Sequence, residues 1–226
     1  MSVLPQKEIK RRLELSIKDP ASLVITPLLE RAKALGSSSE DADSIDLRLG
    51  TYFLLPQVPP VPFTYPCKDS AKQSHVRVHV PLGSYLVVPA HETVLGSTLE
   101  FIKLPSDLCG EILTKSSVAR TFTVIETAPW IHPFYRGCLT LEIANASNTP
   151  LILYPGRYIA QLILMTIEKA KAREQKLSGK YLAPVYPEAP KFDDPEDDLK
   201  KIGIPKDQIR SPYKKSQSIN CSPPHS

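Results

Sequence analysis

The sequence is short of cysteine, glycine, tryptophan and any long apolar run. Four cysteines, Cys67, Cys109, Cys138 and Cys221, stand tens of residues apart with no C-x-x-C spacing. That argues against a zinc ribbon, a thioredoxin-type redox motif or a disulfide framework. They read instead as free thiols of a reducing compartment, where cysteine behaves as a small buried hydrophobe. No stretch reaches the ~18 apolar residues of a membrane span. Met1 to Arg12 is charged and lacks an apolar segment, so the expectation is a cytoplasmic protein with no membrane contact. An excess of one charge is missing too: 28 Lys and Arg against 24 Asp and Glu leave +4. So small an excess implies no nucleic-acid polymer as partner, although a local basic pocket for a phosphorylated small molecule stays open.

What the chain has is proline, 23 residues against 9 glycines. Proline removes an amide donor and clashes inside a helix, so many short strands broken by turns are favoured over a helical bundle. The only helices expected lie near the start. Gln6 to Leu15 sets Ile9 and Leu13 at helical spacing, and Pro27 to Leu35 opens on proline and stops before Gly36. Strand patterns follow from Ser44 to Gly50, after which residues 56–66 carry five prolines and read as an extended surface crossing.

Further short strands are expected at His75 to Val80, with Val76, Val78 and Val80 on one face, and at Ser84 to Pro89. A pair broken near Gly96 fills Thr93 to Leu104. Leu108 to Thr114, Thr121 to Glu126, Cys138 to Asn145, Pro150 to Leu153 and Tyr158 to Thr166 complete the series. That spacing suggests a mainly β sandwich or barrel of antiparallel pairs. From Pro187 to Ser226 the chain has seven prolines, an acidic patch at Asp193 to Asp198 and few large apolar groups. The expected division is one folded β domain over 1–186 and a proline-rich, charged tail, extended or disordered, over 187–226.

Polar chemistry concentrates between Thr114 and Leu164 in three clusters. In Lys115-Ser116-Ser117-Val118-Ala119-Arg120, two cations flank two hydroxyls, a set suited to oligophosphate, although a solvated turn would read the same. The second cluster runs from Thr127-Ala128 through Trp130, His132 and Gly137 into the strand CLTLEIAN. There Leu139, Leu141 and Ile143 share one face and Thr140, Glu142 and Ala144 the other. Glu142 then has two readings: a general base whose pKa is raised in a partly dry pocket, or a carboxylate on a solvent face. The third cluster, Tyr154 to Leu162, is a turn entering an apolar strand that carries one amide side chain, Gln161.

Taken together, the order and spacing of these clusters resemble the deoxycytidine triphosphate deaminase and deoxyuridine triphosphatase (dUTPase) family. Lys115 to Arg120 is similar to its phosphate motif, Thr127-Ala128 through Gly137 to its nucleoside-binding hairpin, and GRYIAQL (Gly156 to Leu162) to its later phosphate-side motif. Ile25-Thr26-Pro27 and SIDLRLG (Ser44 to Gly50) resemble the opening of the deaminase branch, and Gly179-Lys180-Tyr181 the start of its C-terminal motif. The likeness covers about residues 5–186. It implies a distorted antiparallel β-barrel, jelly-roll-like, with short N-terminal helices, assembled as a homotrimer with sites between subunits.

The resemblance also implies roles. Deaminases carry a glutamate where this chain has Glu142, while triphosphatases have an apolar residue there and activate water with a hairpin aspartate, where this chain has His132. The implied reaction is hydrolysis of dCTP to dUTP and ammonia. Glu142 would shuttle protons, Ser116 and the Ala128 backbone would orient the water, and Arg120 would hold Glu142 and the developing charge. Lys115, Ser117, Gln161, Lys180 and Tyr181 would contact a triphosphate that brings its own Mg²⁺, and Thr127, Trp130 and His132 would lie on the base side. No zinc is expected, since the H-x-E and P-C-x-x-C signature is absent. Trp130 either stacks on a base or fills the trimer core. The chain departs from the family at Trp130-Ile131-His132 and at Pro184, where a glutamine is usual. These departures keep a non-catalytic nucleotide sensor, and after it a dUTP diphosphatase, as alternatives.

Overall fold

A computed structural model of the chain describes residues 2–28, 43–57, 75–125, 129–168, 183–191 and 195–209. Within these residues the protein is built almost wholly of antiparallel strands, as the proline-rich, short-period sequence requires. In chain order they are β1 (Ser2–Val3), β2 (Val24–Thr26), β3 (Ser44–Arg48), β4 (Tyr52–Pro56), β5 (His75–His79), β6 (Leu86–Val88), β7 (Thr93–Lys103), β8 (Leu108–Thr114), β9 (Thr123–Ile125), β10 (Trp130–Ile131), β11 (Arg136–Asn145), β12 (Leu151–Leu153) and β13 (Tyr158–Thr166). Three helices accompany them: α1 (Gln6–Glu14), α2 (Ser116–Ala119) and α3 (Pro195–Lys201).

One sheet runs β1-β13-β8-β10 with β3 also on β13, and the other runs β5-β4-β7-β11-β9 with β2 on β7. The pair β12-β6 forms a separate ribbon. Between the sheets lies one core, to which β3 gives Ile45 and Leu47, β13 gives Ala160, Leu162 and Leu164, and β11 gives Leu139, Leu141 and Ile143. A bridge from Leu49 to Thr98 joins the sheets at one edge. Helix α1 packs Ile9 into the core and is tied to the β7–β8 turn by Arg12. The Arg12 Nη2 meets Asp107 Oδ2 at 2.7 Å while its Nε meets Glu8 Oε1 at 2.7 Å.

Several expectations hold closely: α1, the strands Leu108–Thr114 and Tyr158–Thr166, and the alternating faces of β11. Others are corrected. Thr93 to Leu104 is not a broken pair but one continuous strand, Thr93–Lys103. Gly96 serves packing there, not a turn, since a Cβ on it would stand 3.1 Å from Ile143 Cδ1 and 3.2 Å from Leu49 Cδ1. Val76 is 40% exposed, so only Val78 and Val80 of the expected face turn inward. The turn expected between Lys115 and Arg120 closes as the single helical turn α2.

Strands β1, β2, β4 and β10 were not expected. YFLLP lacks the alternation of a half-exposed strand because Phe53 and Leu54 are both buried. The helix Pro27 to Leu35 and the crossing 56–66 lie largely outside the described residues.

The stretch 183–191, which spans the expected boundary at 187, lies on the sheet. Cys138 N donates to Pro184 O at 2.6 Å, and Glu188 N donates to Thr140 Oγ1 at 3.2 Å. The Tyr186 ring stands edge-on to Tyr52 at 4.5 Å, with the Arg77 guanidinium 5.5 Å from its centre. Beyond it α3 forms within the stretch expected to be extended. Cys109 and Cys138 are free and buried, and burial raises the Cys138 thiol to about 11. No described helix is long and apolar enough to cross a membrane.

Candidate active site

Period-two alternation fixes where the chemistry of β3 and β13 faces. With Ile45 and Leu47 turned to the core, Asp46 turns outward; its register partner on β13 is Gln161, whose partner on β8 is Leu113. Lys115 follows β8, its backbone N–H bonding Ile159 O at 3.0 Å. This geometry brings two of the sequence-predicted side chains onto one carboxylate. Lys115 Nζ is ion-paired with Asp46 Oδ2, and Gln161 Nε2 donates to Asp46 Oδ1 at 3.2 Å.

Beside this trio opens a cleft of about 670 Å³. Lys115 and Ser117 line it together with Arg48, Arg157 and Tyr158, and the β12 ribbon supplies an apolar wall of Leu151, Ile152 and Leu153. Three cations around a space of that size suit a polyanion such as an oligophosphate. Ser116 and Arg120 are exposed on and just after α2, where the Arg120 amide caps the turn on Ser116 O and Val118 O.

Glu142 occupies a different surface. It sits half-buried on β11 opposite Leu95 of β7, on the same face as Thr140 and Ala144, and it is not among the side chains lining the cleft. A half-buried position does not choose between the two sequence readings of Glu142. Across β11 on its other side, β9 pairs Ile125 with Ile143 and Val124 with Ala144. The 183–191 stretch crosses the same face at Thr140.

The hairpin after β9 returns as β10, which pairs Trp130 with Glu111 and Ile131 with Gly110. Trp130 is 41% exposed and His132 is exposed. Thr127, Ala128, Lys180 and Tyr181 lie outside the described residues. Within one chain, then, Lys115 and Ser117 line the cleft and Gln161 stands beside it on Asp46, whereas Glu142, Trp130 and His132 do not line it.

Sequence reasoning singled out neither Asp46 nor Arg48, nor the glutamate behind Arg48. The signal for that last residue was present in β7, where Val94, Gly96, Thr98, Glu100 and Ile102 form the buried row. An acidic residue in the inward register of a core strand requires a partner, because an unpaired buried charge is costly. Arg48 is that partner, its Nε donating to Glu100 Oε1 at 2.6 Å.

With this geometry in view, the comparisons with known proteins are consistent. A dCTP deaminase-like family model matches residues 3–167. The chain is 34% identical over 161 residues to the dCTP deaminase, dUMP-forming, of Dictyoglomus turgidum, covering 71% of this chain and 78% of that one. It is 30% identical over 194 residues to the similarly named protein of Methanobrevibacter smithii, covering 84% of this chain and 94% of the relative.

Among solved structures, the 2'-deoxycytidine 5'-triphosphate deaminase of Agrobacterium tumefaciens shares the fold. The TM-score is 0.53 at 20% identity, over 74% of this chain, which spans about half (48%) of that longer chain. The family match, the two relatives and the shared barrel agree with the motifs read at Ser44 to Gly50, Lys115 to Arg120 and Gly156 to Leu162: the chain belongs to the dCTP deaminase-like family.

Proposed function

We propose that this protein hydrolyses dCTP to dUTP and ammonia, as a cytoplasmic enzyme of pyrimidine deoxynucleotide metabolism. The observation that carries the reading is the meeting of Lys115 and Gln161 on Asp46, beside a cleft that also holds Arg48, Ser117 and Arg157. Residues from motifs more than forty positions apart converge there on a site chemically matched to a triphosphate. The triphosphate enters with its Mg²⁺ as part of the substrate. The carboxylate of Asp46, beside the cleft, is already engaged by Lys115 and Gln161, and among the described residues no group of three or more His, Cys, Asp or Glu side chains is placed to hold a metal ion.

Glu142 is the proton shuttle in this reading. Water adds at C4 of cytosine, giving a proton to Glu142, which returns it to N3. Glu142 then takes the proton of the new C4 hydroxyl and delivers it to the amino group, so that the C4–N bond breaks, ammonia leaves and C4 becomes the carbonyl of uracil. Ser116 and the Ala128 backbone orient the water, and Arg120 holds Glu142 and the developing charge. Lys115, Ser117, Gln161, Lys180 and Tyr181 bind the triphosphate; Thr127, Trp130 and His132 lie by the base. Because Glu142 is not in the cleft of its own chain, the site is completed between subunits, which supports a homotrimer.

The product divides two readings. Both relatives are named dUMP-forming, which favours release of pyrophosphate after deamination and so counts against the expected dUTP. The exposed His132, at the position where the triphosphatases that the motifs resemble use an aspartate, favours stopping at dUTP. An imidazole does not offer the two acceptor oxygens and the fixed negative charge with which a carboxylate orients water. Incubating the purified protein with dCTP and Mg²⁺ and separating the nucleotides by chromatography decides this. Equal dUTP and ammonia are expected. dUMP with pyrophosphate would assign the two-step reaction, and dCTP retained unchanged on the protein would leave a binding protein in place of an enzyme.

A further inference from the structure

We propose that Arg48 contacts the phosphates in the cleft and that Glu100, buried behind it, is its positioning residue; this rests on the reading of the cleft as a triphosphate site. Arg48 lines the cleft although it is only 7% exposed. Its bonds fix its orientation from the core side. The backbone N donates to Glu100 Oε2 at 2.9 Å, Nε to Glu100 Oε1 at 2.6 Å, and Nη2 to the carbonyl of Pro27 at 2.6 Å. Among the described residues, Nη1 has no hydrogen-bond partner. The guanidinium is thereby held by one edge while a donor remains at the other, the arrangement that a planar five-donor fork allows and an ammonium does not.

Core stability alone does not explain the pair. Glu100 is 1% exposed in a row of core residues, and burial pushes its carboxyl upward despite Arg48. A buried ion pair is often no more stabilising than apolar residues of the same volume, because desolvation offsets the attraction. Its retention is accounted for if the charge is needed at the cleft. The local backbone fits the same role, since the pairing of β13 with β3 shifts register between Tyr158 and Ala160, opposite Leu47 and Arg48. A bulge of this kind re-aims the neighbouring side chains. The extra residue, Ile159, lies on β13, where Ile159 and Ala160 are both buried beside Arg48. Glu100 balances the charge from behind, and Lys115 and Arg157 stand on the same cleft.

Inorganic tripolyphosphate tests this without relying on the base chemistry. Titration calorimetry on the full chain should show binding that weakens about tenfold or more in Arg48→Lys, the loss expected for one charge-assisted bond. Deoxycytidine binding should be unchanged. Glu100→Gln should melt at lower temperature and raise KM for dCTP with kcat little altered; a purely structural role would lower the melting temperature and leave KM alone. If either variant fails to fold, arginine-labelled wild-type protein supplies the reading, as the Arg48 side-chain N–H resonance should move on adding tripolyphosphate. Unchanged tripolyphosphate affinity in a folded Arg48→Lys protein, or an unmoved resonance, overturns the proposal. If dCTP is not deaminated but tripolyphosphate binding still depends on Arg48, the function fails and this assignment stands.

Discussion

Lys115 and Asp46 illustrate how a single residue's worth depends on its neighbours. The Lys115 side chain is 28% exposed and that of Asp46 15%, so the pair is partly buried, desolvation offsets much of its attraction, and it adds little to stability. Its effect is geometric: Asp46 holds Lys115 and Gln161 together beside the cleft, where the proposed function has them meet the phosphates. Lys115→Met should therefore leave the melting temperature nearly unchanged while raising KM for dCTP about tenfold, one charge-assisted contact being lost. Steady-state kinetics and a thermal melt on the same preparation check it. A fall in melting temperature with KM preserved would make the pair a structural brace.

At the scale of elements, helix α1 is held to the barrel by charge as well as by Ile9. Arg11 and Arg12 lower the Glu8 carboxyl from 4.5 to about 2 through direct hydrogen bonds. The folded value lies below the unfolded one, so this carboxylate stabilises the fold above about 4.5 and loses that contribution as the pH falls toward 2. In acid the melting temperature of the wild type should drop toward that of Glu8→Gln, and above that window the wild type should melt higher. Parallel curves at all pH values would remove the helix from the account of acid stability.

Strand β11 supplies a second case. Gly137 has φ +144° and its missing Cβ would stand 2.4 Å from Pro184 Cδ, so Gly137→Ala should cost about 1–3 kcal/mol, as overpacking does. Urea denaturation measures the cost.

The elements also show what could be read in the sequence. Strict alternation made β11 and β13 legible, and the spacing of Ile9 and Leu13 made α1 legible. What escaped were elements with both faces covered, such as β4, and partnerships set by register, such as Asp46 with Gln161 and Arg48 with Glu100. Two residues 115 positions apart meet only because β3 and β13 pair, and no local pattern encodes that pairing. Likewise Gly96 read as a break because close packing against Leu49 and Ile143 exists only in the closed barrel.

For the molecule as a whole, we propose that the limit of the domain lies beyond residue 187. Pro184, Tyr186 and Glu188 are bonded or stacked on β11 and β4, whereas α3 is largely exposed. We propose that residues up to 191 belong to the domain. Deleting 192–226 should leave melting temperature and assembly mass nearly unchanged, while deleting 183–226 should lower the first, because it strips the face that carries Glu142. Thermal melts with light scattering on the two truncations test the boundary. Equal melting temperatures for both would return the limit to 182.

The same face carries the proposed proton shuttle. If Glu142 is the proton shuttle, its isosteric amide can neither accept the proton from water nor return it, and positioned proton transfer contributes about 10²- to 10⁴-fold. The most direct measurement is ammonia release from dCTP by the wild type and by Glu142→Gln, side by side, with dCTP binding measured on both. Release by the wild type, with a loss of at least about a hundredfold in a variant that still binds dCTP, is the predicted result. Undiminished release by Glu142→Gln, or a wild type that binds dCTP and releases no ammonia, would contradict it.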